Sequence, residues 1–112
     1  MAFTGSATVE QITDTLFRIT GVALAASAAG TIGFTAGTND VEFTAPNWEP
    51  QGGASLQDAI SVLINPVGAG ASTAVPVRVV KTGTTQADFV ITLTNNDGAA
   101  ATANLEIYVR FN

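Results

Sequence analysis

The chain has 112 residues, 46% hydrophobic and 12% charged, with nine acids against four cations for a formal charge of -5, and it contains no Cys and no His. That length fits one domain with one core, and roughly two-thirds of the unfolded surface can be buried at this size. The composition excludes a disulfide framework, a thiolate or imidazole catalyst and a Zn, Fe or Cu site of ordinary type. Nucleic acid is excluded as a partner too, because the cations Arg18, Arg78, Lys81 and Arg110 are scattered and phosphate binding needs them clustered.

The charged fraction is about half the usual share, so the surface must consist largely of Thr, Ser, Asn, Gln, Gly and Ala. Such a surface is weakly hydrated and easily covered, which suits a protein buried in an assembly as well as a low-charge monomer. The segment from Val22 to Ala36 is apolar and small, and Ala23-Leu24-Ala25 has the look of a signal-peptidase site. The residues before it carry Glu10, Asp14 and Arg18 and no apolar run, unlike a signal peptide. Gly, Ser and Thr interrupt the segment well short of the roughly 20 apolar residues that a membrane span needs. The chain therefore reads as made and used without Sec export, with no membrane partner.

In chain order, residues 1 to 7 lack a strand pattern and read as an extended arm, free to reach a neighbour. Period-two alternation then predicts strands at Thr8 to Asp14, Leu16 to Leu24, Thr31 to Thr35 and Asp40 to Thr44, with Phe17, Ile19, Ile32, Phe34, Val41 and Phe43 in the core. Gly21, Gly30, Gly33, Gly37 and Asn39 punctuate these runs at intervals that favour antiparallel strands over βαβ units. A long loop follows at Ala45 to Ala54 with Pro46, Trp48, Pro50, Gly52 and Gly53. In Ser55 to Leu63 the spacing of Leu56, Ile60 and Leu63 is helical, and Ser55 with Asp58 resembles a capping box. The reading preferred here is one helical turn at 55 to 59, then a strand at Ile60 to Ile64 ended by Asn65-Pro66.

A second long loop, Val67 to Ala74, is almost pure Gly, Ala, Ser and Thr. Val75, Val77 and Val79 then alternate with Pro76, Arg78 and Val80, and the missing amide hydrogen of Pro76 makes this an edge strand or one that starts at the proline. Phe89, Ile91 and Leu93 mark another strand. In the last run, Ala103 to Asn112, Leu105, Ile107, Val109 and Phe111 share one face and Glu106, Tyr108 and Arg110 the other. Asn95-Asn96-Asp97-Gly98 between them favours a tight turn and a terminal hairpin. The predicted fold is all-β: one domain over residues 1–112, an antiparallel β-sandwich of about 7–8 short strands with at most one short helical turn, a jelly roll being one such topology.

No catalytic constellation emerges. The nine acids sit mostly singly on solvent faces or in turns, whereas carboxylate-only catalysis needs two carboxyls flanking the reacting bond. The chain reads as a non-enzyme, with no catalytic, cofactor or metal residues. Asn95 to Gly98 is rich in side-chain oxygens but lacks the distal Glu of a calcium loop, so a hairpin turn is the better reading. Gly52-Gly53 and Gly68 with Gly70 are not followed by Lys-Ser or Lys-Thr and do not cradle phosphate. Trp48 can seal the core, anchor an interface or stack on a sugar ring. Tyr108 belongs either to a solvated sheet face or to an interface patch.

Taken together, Arg18 to Gly21, Ala29 to Gly33, Ser55 to Ile60, Ile64 to Pro66, Val80 to Thr85, Phe89 to Asn95 and Leu105 to Phe111 resemble the capsid cement or decoration proteins of tailed bacteriophages. The resemblance covers nearly the whole chain and lies in texture rather than in a catalytic motif. It implies a β-sandwich on the outside of a phage head, assembled in the host cytoplasm, that clamps neighbouring major capsid subunits. Its implied partners are the major capsid protein and further copies of itself, as a dimer or trimer. The residues expected at protein interfaces are Phe3, Trp48, Pro50, Gly70 and Tyr108. The competing class is a glycan-binding β-sandwich of a phage fibre or bacterial surface protein, with Trp48 as its stacking platform.

Overall fold

A computed structural model describes residues 3–35, 38–44, 55–67, 77–85, 88–96 and 102–111. Among them the elements follow as β1 (Phe3–Thr4), β2 (Thr8–Thr13), β3 (Leu16–Leu24), β4 (Ala29–Gly33), β5 (Val41–Glu42), α1 (Leu56–Ala59), β6 (Ile60–Pro66), β7 (Val77–Thr82), β8 (Val90–Asn95) and β9 (Ala103–Phe111). Two sheets result. In the first, β3 lies beside β9 and β9 beside β6, while β1 and β2 share the other edge of β3; the second has the order β5-β4-β8-β7. The all-β sandwich expected from the alternation is the fold observed.

Alternation dictates which side chains enter the core. Along β9 the buried positions are Ala103, Leu105, Ile107, Val109 and Phe111, and along β8 they are Ile91, Leu93 and Asn95. These apolar rows meet those of β3 and β4, so that Phe17, Ile19, Val22, Leu24 and Ile32 join one continuous core. Each such side chain contributes roughly 1.5–3 kcal/mol through the apolar surface it removes from water. Phe17, Phe34, Phe43, Phe89 and Phe111 cluster, with neighbouring ring centroids 4.6 to 6.0 Å apart. They stand at strand ends, where tilted and edge-on ring contacts add to burial.

Several expectations need correction. The predicted terminal hairpin does not form: β8 pairs with β4 and β7, whereas β9 pairs with β3 and β6. Both strands carry a strict apolar face, and those faces satisfy each other across the sandwich rather than side by side. The residues from 96 to 102 are enough chain to cross the ~10 Å between packed sheets. The strands β8 and β9 thus occupy interior positions of the two sheets, flanked by β3 and β4 on one side and by β6 and β7 on the other. This interleaving is of jelly-roll type.

The N-terminal arm is also corrected from Phe3 onward. Phe3 and Thr4 pair with Leu24 and Ala23 of β3, and the Phe3 ring, 8% exposed, belongs to the core. A side-chain carbon at Gly30 would overlap that ring, so the glycine makes the seat for it. Beyond Thr4 the edge is bent at Gly5, which has φ 87°, opposite Gly21 with φ 81° in a bulge of β3. Both angles lie in the left-handed region that glycine alone enters readily.

One pair departs from the antiparallel expectation, because β4 and β5 run parallel with Ile32 opposite Val41. Asp40 fixes that return: its Oδ2 accepts the Thr31 amide at 3.0 Å, and its own amide donates to the Thr31 hydroxyl at 3.1 Å. The helical turn and the strand after it lie where expected. Ser55 does not cap in the manner predicted, since its hydroxyl donates to the Asp58 carboxylate at 2.9 Å and accepts no backbone N–H. The strand β7 begins at Val77 and lies at a sheet edge, as the alternative reading of Pro76 requires; Pro76 itself lies outside the described residues.

Candidate functional site

The outward face of the first sheet gathers side chains from β2, β3, β9 and β6. Register places Glu10, Arg18, Tyr108 and Leu63 in one row across the four strands, and Thr13, Leu16, Arg110 and Ser61 in the next. All eight point outward, because the intervening residues Phe17, Val109 and Val62 turn toward the core.

Polar contacts link the first row to its neighbours. Arg18 donates through Nη2 to the Glu10 carboxylate. The Tyr108 hydroxyl donates to Glu106 Oε1 at 2.8 Å, and the Asn65 side-chain amide donates to the same oxygen at 3.2 Å. Those two donors, the Tyr108 hydroxyl foremost, hold the Glu106 carboxyl below the usual carboxylate range. Contact with the Tyr108 hydroxyl, followed by the charge of Glu10, raises the Arg18 guanidinium above its ordinary value. Both shifts favour the charged forms of Glu106 and Arg18.

Next to this network lies an open groove of about 650 Å³. Leu16, Leu63 and the Tyr108 ring supply its apolar surface, the hydroxyls of Thr13, Thr15 and Ser61 its polar one, and Arg110 its charge. Leu63 is 64% exposed, the largest value for a large hydrophobic side chain among the described residues. Arg110 has no carboxylate partner among the described residues. An apolar surface beside a guanidinium and several hydroxyls can hold an amphipathic ligand bearing a carboxylate or hydroxyls.

The outward face of the second sheet is plainer. Register brings Ala29, Thr94 and Arg78 into one row, Thr31, Thr92 and Val80 into the next, and Val90 with Thr82 into a third. The third row continues through Gly33 to the exposed Glu42 of β5, so Arg78 and Glu42 are the charged residues in these rows. Lys81 points the other way, and its ammonium donates to the Ile60 carbonyl at 2.6 Å, joining an edge strand of each sheet.

Of the five residues expected at interfaces, Tyr108 lies within the candidate site and Phe3 lies in the core, where its ring is not presented to a partner. Trp48, Pro50 and Gly70 lie outside the described residues, as does most of the two long loops. Sequence reasoning missed Leu63, which its helical spacing had grouped with Leu56 and Ile60, and it missed the groove. Once the strand is known to start at Ile60, odd-numbered positions such as Leu63 turn outward, and that was the available signal. No group of three or more His, Cys, Asp or Glu able to hold a metal occurs among the described residues. None of their helices is long and apolar enough to cross a membrane. No family model, curated protein or solved structure matches the chain.

Proposed function

We propose that the protein is a non-catalytic structural module that binds other protein surfaces, and specifically that it decorates the outside of a phage head and clamps neighbouring major capsid subunits. The observation that carries this reading is the sparse charge on the outward faces of both sheets. One face bears only Arg78 and Glu42 in its rows, and the other balances Glu10 and Glu106 with Arg18 and Arg110. Faces of this kind shed water at modest cost, and an interface rich in hydroxyl side chains keeps its hydrogen bonds when covered. A sandwich with two such faces can touch two neighbours at once. Joined to further copies of itself, it would multiply weak contacts through effective concentration rather than depend on one tight site.

The test is co-sedimentation with assembled heads, with and without the protein. Saturable occupancy, and heads that burst at a lower temperature when the protein is missing, are the expected results. Recovery only in the soluble fraction, never on particles, would sink the reading.

A glycan-binding module is the second reading, and one observation favours it. The Tyr108 ring stands beside three hydroxyls and the Arg110 guanidinium, a set that could meet the face and hydroxyls of a sugar. A Tyr108→Ala variant that still saturates heads but no longer binds a glycan held by the parent would support it.

A further inference from the structure

We infer that the groove on the outward face of the first sheet binds a sugar acid, a pyranose ring bearing a carboxylate, with the carboxylate on Arg110 and a C–H face of the ring against Tyr108 and Leu63. The inference rests on the glycan reading of this groove, to which it adds the carboxylate, and is independent of the capsid partner.

Charge selects the acid. The chain carries -5 overall, yet among the described residues the groove is lined by one cation, Arg110, and by no Asp or Glu. Both carboxylates in the neighbouring rows are engaged elsewhere. Glu10 accepts from Arg18, and Glu106 accepts from the Tyr108 hydroxyl and the Asn65 side-chain amide. Residues two apart on a strand share a face at ~7 Å spacing, so Glu106 stands on one side of Tyr108 along β9 and Arg110 on the other. A guanidinium can offer two parallel N–H donors to a carboxylate, which favours an acidic group at the Arg110 end. The outward face of the second sheet offers no equivalent. Arg78 shares its row with Ala29 and Thr94, and no large exposed hydrophobic side chain stands in the described rows of that face.

The remaining lining separates a sugar acid from a plain hydrophobic one. Leu16, Leu63 and the Tyr108 ring offer apolar surface to ring C–H groups, and the hydroxyls of Thr13, Thr15 and Ser61 stand beside them. An alkyl tail would cover those hydroxyls without replacing their bonds to water, whereas ring hydroxyls restore them. The Thr13 hydroxyl accepts the Thr15 amide at 3.3 Å, which leaves its hydrogen to donate outward. The bond from Tyr108 to Glu106 holds the ring before a ligand arrives, and so lowers the ordering cost of binding. A volume of about 650 Å³ is of the size that small-ligand sites have.

NMR titration of the isotope-labelled full chain near neutral pH, with each probe taken to ~20 mM, tests the inference. Methyl glucuronide and the methyl glycoside of N-acetylneuraminic acid are the acidic probes, methyl glucoside the neutral one, and cyclohexanecarboxylate the acid without hydroxyls. At least one acidic glycoside should shift the amides of Thr13, Leu16, Leu63 and Arg110 saturably and bind at least ~10-fold more tightly than the glucoside. Arg110→Gln should remove that margin and leave the affinity for the glucoside as it was. Tyr108→Ala should weaken every sugar, and Arg78→Gln on the other sheet should change none, with circular dichroism reporting the fold of each variant. Equal affinity for acidic and neutral glycosides, or a margin that survives Arg110→Gln, overturns the inference and spares the glycan reading. Cyclohexanecarboxylate binding as tightly as the acidic glycosides also overturns it. No saturable shift with any sugar overturns the inference and the glycan reading together, and leaves the capsid reading to its own test.

Discussion

Asn95 is the one polar side chain counted in the core among the described residues, fully buried at the end of β8. Its amide nitrogen donates to the Leu24 carbonyl at 3.0 Å, and its backbone N–H donates to the Ala28 carbonyl at 2.9 Å. One residue of the second sheet thereby anchors the turn that leaves the first. Asn95→Ala strips the Leu24 carbonyl of that donor, and we expect a loss of about 1–3 kcal/mol by urea denaturation. Asn95→Asp should cost more at neutral pH, where a buried carboxylate faces a carbonyl oxygen. Acidification should recover part of that loss, because a protonated carboxyl can donate again.

Phe3 and Gly30 form a second pair whose meaning is local. Phe3→Ala should cost about 3–5 kcal/mol, the usual order for a phenylalanine that is almost fully buried. Gly30→Ala should also destabilise, by pushing the ring out of its seat. Once the ring is gone the added methyl has room, so the double variant should lose less than the sum of the two. Full additivity in a double-mutant cycle would mean that the ring and the glycine do not meet.

At the scale of elements, strands with a long strict period were legible and connections were not. Leu16–Leu24 and the run from Ala103 were evident, because nine residues of alternation leave no second way to bury Phe17, Ile19, Ile107 and Val109. The two residues of β1 have no period to read, so Phe3 looked like part of a free arm. The partner of β8 was invisible for a different reason. Alternation tells which face is buried, but not whether the next strand lies alongside or opposite. The groove was hidden as well, because its walls come from Thr13 to Leu16, Ser61 to Leu63 and Tyr108 to Arg110, which only the finished sheet brings together. Tyr108 itself was visible as an outward residue of β9.

The bulge of β3 can be tested as an element. At Gly21 an added methyl would run into the Ser6 carbonyl and the backbone would remain left-handed. Gly21→Ala should therefore cost about 1–3 kcal/mol, read as a lower midpoint in thermal unfolding. An unchanged midpoint would mean that the β1 to β2 edge adapts freely.

For the whole molecule, pH dependence should be confined to the acid side. A chain without His has no side chain of unperturbed pKa between pH 5 and 8, so the melting temperature should stay level there. Glu106 is held low by Tyr108 and Asn65, and Asp88 is held low first by the Thr85 backbone amide, then by the Thr85 hydroxyl. A carboxyl whose folded pKa is depressed stabilises above its unfolded pKa, near ~4, and that contribution vanishes as pH falls through the folded value. Thermal scans should thus decline only below about pH 4. Tyr108→Phe removes the main donor to Glu106, so NMR should find that carboxyl titrating at higher pH than in the parent.

The interior places of β8 and β9 carry a consequence for the order of events in synthesis. Every strand that these two hold in register has already been made before they emerge, and until then β3 shares no ladder with β6, nor β4 with β7. The nascent chain can close its early β2–β3 hairpin, but neither layer is complete until the last of the ladder strands arrives. Folding should then be late, concerted and slow for so small a chain, in the millisecond-to-second range of proteins dominated by distant strand pairings. In a crowded cell that delay leaves apolar strands uncovered, and a translating ribosome would be followed by a short interval in which chaperones compete with self-closure.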